Sequence, residues 1–82
     1  MSFHLDRRAP DLAQRVADYP GDHLLTVDEL AAWLAVHPGT VTRWHQSGVG
    51  PKAVRAGLRA VRFRKDDVKA WLEERALARA EG

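Results

Sequence analysis

Residues Thr26 to Trp44 read TVDELAAWLAVHPGTVTRW, and the break in the middle decides the fold. Thr26-Val27-Asp28-Glu29 has the form of a capping box. The Thr26 hydroxyl accepts the Glu29 amide, while the Glu29 carboxylate reaches back to the amide of Thr26. Asp28 and Glu29 also suit the positive end of a helix dipole. Leu30, Trp33 and Leu34 follow at helical spacing, which predicts a helix over residues 26–35. Pro38 cannot continue that helix and pushes His37 toward extended angles, yet proline fits the first turn of a new helix. Val41 and Trp44 give the second segment one apolar face, and Gly48 with Gly50-Pro51 ends it. The second helix is predicted over 38–47. Two short helices joined by a tight break make a helix-turn-helix. Ala31, Ala35, Val41 and Trp44 stand at the spacings by which the paired helices of that motif lock together.

Beyond Pro51 the period changes. Ala53-Val54-Arg55-Ala56 and Val61-Arg62-Phe63-Arg64 alternate apolar and basic residues around Gly57. That pattern predicts a hairpin within 52–64, with Val54, Val61 and Phe63 inward and Arg55, Arg62 and Arg64 outward. A lone hairpin is marginal in water, so it must lie on the helices. Asp66 is a good N-cap, and Val68, Trp71 and Leu72 trace the apolar stripe of a last helix over 66–80. Upstream, Ala9 to Tyr19 can form a short helix with Pro10 in its first position, closed by Pro20-Gly21-Asp22. The chain thus reads as an N-terminal extension, 1–23, and a domain, 24–82. The expected fold class is mainly α with a small β-hairpin, a winged helix-turn-helix.

Eighty-two residues supply a single modest core. With no cysteine, disulfides and thiolate zinc sites are excluded, which fits a reducing cytoplasm. No apolar run approaches the roughly 18 residues of a membrane span, and MSFHLDRRAPDL lacks the apolar core of a signal peptide. The net charge of +2 hides the informative asymmetry. Residues 1–36 carry three arginines against six carboxylates, and residues 65–82 carry four basic against five acidic groups. Between them, residues 37–64 carry six basic groups (Arg43, Lys52, Arg55, Arg59, Arg62 and Arg64) and no acid. Solvated faces usually mix both signs, so an acid-free basic block points to a polyanion.

The second helix turns Thr40, Thr42, Arg43 and Gln46 away from Val41 and Trp44. Short polar groups and a bidentate arginine suit base edges and phosphates in a major groove. The hairpin offers Lys52, Arg55, Arg59, Arg62 and Arg64 on a narrow ribbon that can reach an adjacent minor groove. Double-stranded DNA is the expected partner. Trp33, Trp44 and Trp71 each sit in the apolar stripe of a helix, which favours core packing over stacking on single strands. The four histidines show no i, i+4 pair, so neither a metal nor a cofactor is expected. Ser47 with distant His and Asp residues is no catalytic signal, and no enzymatic activity is expected. His37 stands either as a cap weaker than a hydroxyl or as a side chain that meets a phosphate and gains charge as pH falls.

The stretch LLTVDELAAWLAVHPGTVTRWHQSGVGPKAVRAGLRAVRFRKDDVKAWLEE resembles the excisionase-type helix-turn-helix proteins. These share a winged-helix fold with the MerR regulators. The resemblance runs from about Leu24 to Arg75, through LLTxxELAxxL, TVxRW, GxGP, VRFR and DDVxAWL. It implies that 38–47 is a recognition helix and 52–64 a wing. It also implies a phage or mobile-element recombination directionality factor in the cytoplasm of a bacterial host, associated with the nucleoid. Such a factor binds and bends DNA in an attachment-site arm and steers a tyrosine integrase toward excision. Close relatives instead regulate transcription. A phage DNA-packaging role is the alternative of another class, and neighbouring copies on DNA are a further candidate partner. The family pattern has Ser where His37 stands.

Overall fold

The computed structural model describes residues 8–57 and 60–81. Helix α1 (Arg8–Asp18) is followed by strand β1 (Leu24–Leu25), helix α2 (Val27–Leu34), helix α3 (Pro38–Ser47), strands β2 (Val54–Arg55) and β3 (Val61–Arg64), and helix α4 (Lys65–Glu81). The result is a mainly helical winged helix-turn-helix with a three-stranded antiparallel sheet in the order β1-β3-β2. Val16 of α1, Leu25 of β1, Leu30 and Ala31 of α2, Val41 of α3, Phe63 of β3 and Val68 of α4 form one buried cluster. Helix α1 therefore shares its core with the helix-turn-helix and the sheet.

The capping box forms as read. The Glu29 amide donates to the Thr26 hydroxyl at 3.0 Å and the Thr26 amide to the Glu29 carboxylate at 2.8 Å. The first helix stops before His-Pro-Gly is reached. Ala35 takes the left-handed conformation, with φ 59° and ψ 43°. Its amide donates to the Ala32 carbonyl, and the Val36 amide to that of Ala31 at 2.9 Å. These two bonds satisfy the last carbonyls of α2.

The sheet departs from the expected hairpin in two ways. Leu24 and Leu25 add a third strand, pairing with Arg64 and Phe63 on the edge of β3 opposite β2. The phase of β2 is also the reverse of that expected. Val54 lies opposite Arg62 and Arg55 opposite Val61, and residues directly opposite one another share a face of the sheet. Val54 thus sides with the outer arginines, while Arg55 lies on the face of Val61 and Phe63. Ala53, not Val54, packs against the core. The Ala56 amide closes the ladder on the Ala60 carbonyl at 2.8 Å, and that loop length sets the phase.

Asp66 does not cap the last helix, which begins one residue earlier at Lys65. The amides of Lys65 and Asp66 are taken by the carbonyls of His23 (3.0 Å) and Gly21 (2.8 Å), so the 20–23 turn does the work of a cap. Lys65 itself is only 5% exposed. Its ammonium donates to the carbonyls of Ala17 (2.9 Å) and Tyr19 (2.7 Å) at the end of α1 and lies 5.4 Å from the Trp33 ring centroid. A cation at a helix C-terminus is favourable, and here it joins α1 to α4. Tyr19 stacks on His23 and donates to Glu29 at 3.1 Å. Desolvation and then that bond raise its phenol above the usual 10.0.

Two substitutions probe these joints. Ala35→Gly removes a left-handed alanine at a cost in unfolded-chain entropy, and thermal unfolding is expected to show a net gain of about 0.5–1 kcal/mol. Lys65→Met leaves two carbonyls without their donor and is expected to lose about 2 kcal/mol in denaturant titration. Lys69→Met, at an exposed position of the same helix, should be nearly neutral by comparison.

Candidate nucleic-acid interface

Helix α3 begins at a cap made by histidine. The Gly39 amide donates to His37 Nδ1 at 2.9 Å, which requires the ring proton on Nε2. His37 has the extended backbone of an N-cap (φ −70°, ψ 141°), with Pro38 at the first helical position. A Cβ on Gly39 would stand 3.1 Å from Nδ1, so glycine leaves room for the ring. At the other end Gly48 takes φ 74°, and its amide and that of Val49 close on the carbonyls of His45 and Trp44. Trp44 lies 5.2 Å from Trp71 of α4, and the Trp71 indole donates to the Val49 carbonyl at 3.1 Å. Both ends of α3 are thereby held.

Val41 is buried and Trp44 half-buried, so the opposite side of α3 is open. At 3.6 residues per turn that side carries Thr42, Arg43 and Gln46, all exposed. Thr40 is half-buried on one flank, and its amide donates to the His37 carbonyl. His45, which the sequence reading weighed only as a metal ligand, is exposed on the other flank. Its ring meets Phe63 edge-on, with centroids 6.2 Å apart. Position 45 lies three residues beyond Thr42, and that spacing is the signal that marks it as a neighbour on the reading face.

The wing residues divide. Lys52 is exposed before β2, and Arg55 is exposed on the helix-facing side of the sheet. Arg62 is half-buried; it donates to the Val61 carbonyl at 2.9 Å and lines a cleft with Thr42, His45 and the start of α2. Arg64 lies at the far end of β3, 3.8 Å from both Asp66 and Asp67 on α4, so its charge is partly spent there. Arg59 lies outside the described residues. The structure thus brings Thr42, Arg55 and Arg62 around His45, while Arg43 and Gln46 project from the helix face. Among the described residues, no group of three or more His, Cys, Asp or Glu is placed to hold a metal ion, and no helix is long and apolar enough to cross a membrane.

The cap is open to direct test. Removing the acceptor with His37→Ala is expected to lower folding stability by about 1 kcal/mol in thermal unfolding, while His37→Ser retains it.

No curated protein and no solved structure gives a significant match to the chain. The family model described as Helix-turn-helix domain matches residues 24–76, more than half of the sequence. That span takes in β1, the paired helices, the wing and most of α4. The chain belongs to the helix-turn-helix domain family, a fold that supports DNA binding.

Proposed function

We propose that this protein is a sequence-specific binder and bender of double-stranded DNA, an excisionase of a phage or mobile element that directs a tyrosine integrase toward excision. It works by binding alone and carries out no catalytic step. The observation that carries the reading is the placement of the acid-free block, residues 37–64. That block contains both α3 and the β2–β3 wing, two elements joined to one core. A helix in the major groove and a basic ribbon at the neighbouring minor groove grip DNA across successive grooves, which favours a bend. Arg43 and Gln46 have the chemistry to discriminate base edges, and the wing cations supply affinity that is independent of sequence. The likeness of LLTxxELAxxL, TVxRW, GxGP, VRFR and DDVxAWL to excisionases supports the finer assignment.

If roughly three to five cations meet phosphates, log K falls against log salt with a slope near −3 to −5. A salt-independent complex would remove the electrostatic basis of the reading. Gel shifts on circularly permuted fragments should show mobility that depends on the position of the bound site. An unbent specific complex would point to a transcriptional regulator in place of an excisionase.

A further inference from the structure

The register of β2 places Arg55 on the helix-facing side of the sheet, opposite Val61. On that side a shallow cleft of about 190 Å³ opens between wing and recognition helix. It is lined by His45 of α3 and by Ala53, Val54, Arg55 and Val61. His45 and Arg55 are exposed, and Ala53 and Val61 are half-buried against the core. An apolar floor under a rim of N–H donors matches a deoxyribose with its phosphate, since the sugar offers carbon and the phosphate offers anionic acceptors.

We infer that this corner is a seat for one sugar–phosphate unit of the bound strand, with His45 and Arg55 holding the phosphate and Ala53 and Val61 receiving the sugar. The inference rests on the DNA-binding reading above and adds to it a residue, His45, and a defined subsite. Thr42, one turn before His45 in the same helix, lines the neighbouring cleft, and His45 lines both. A strand whose bases face Thr42 and Gln46 therefore passes over the corner as it leaves for the wing. The cleft on the other side of His45 differs in its charges. There Asp28, at the start of α2, lines the same opening as Arg62 and Thr42, and a carboxylate disfavours a phosphate. Among the described titratable groups lining the two clefts, Asp28, His45, Arg55 and Arg62, only His45 and Arg55 line the Arg55-side cleft.

The test uses the full chain and the duplex it selects from a random library. His45→Ala and Arg55→Ala change exposed side chains, and thermal unfolding run beside the titrations checks that each variant is folded at the assay temperature. Each is expected to weaken binding roughly five- to tenfold, and Arg55→Ala to reduce the salt slope by about 1. Methylphosphonates placed singly along both strands then locate the seat. At one phosphate, neutralisation should weaken the wild type by a similar factor and leave the doubly substituted protein unaffected. Strictly additive losses at every phosphate, or wild-type affinity in both variants, would overturn the seat while leaving DNA binding standing. Absence of salt-dependent duplex binding by the wild type would overturn both.

Discussion

Strand β3 is paired along both edges, with Leu24–Leu25 on one side and Val54–Arg55 on the other. Its register decides what faces the helices. In the observed pairing Phe63 is buried against the core and touches the His45 ring, while Arg62 and Arg64 lie on the opposite face. A slip of one residue would drive an arginine into the core and expose Phe63, a change no small domain can absorb. The same strand runs without a break into α4. Sheet, last helix and wing are therefore placed by one set of backbone bonds, and the angle between wing and recognition helix follows from it.

Around that strand the charges are sorted by role. Buried Lys65 ties the end of α1 to the start of α4 through two carbonyls and the Trp33 face. Arg64 stands between Asp66 and Asp67. Glu29 is engaged by Thr26 and Tyr19. These groups serve the scaffold. Thr42, Arg43, Gln46 and Lys52 are exposed on α3 and before β2, and Arg55 is exposed on the wing. An electrostatic surface of this kind gains affinity from counterion release and gains specificity only where a side chain meets a base edge.

The parts legible in the sequence were those set by local chemistry. A capping box, a proline in a first turn and a glycine with positive φ each act within a few residues, and they bounded α2 and α3 closely. Leu24–Leu25 escaped because two residues show no period, and their partner strand lies far along the chain. The phase of β2 escaped for a different reason. Alternation with Arg55 favours Val54 inward, but Ala53 is apolar too and can take that place, and the 56–60 closure decides for Ala53. Lys65 enters the sequence only as one of four basic groups in residues 65–82; lysine is seldom buried, and a sequence pattern does not display two carbonyls waiting at a helix end. His45 was visible as a neighbour of Thr42 but carried no weight until Phe63 and Arg55 were seen beside it.

In the proposed function, α3 and the wing together form the surface that meets DNA. Backbone amide shifts of isotope-labelled protein, followed while its selected duplex is added, test it most directly. Changes are expected to concentrate at residues 37–47 and 52–62, with α1 and the outer half of α4 little affected. Changes confined to α1 or α4, with α3 undisturbed, would contradict it.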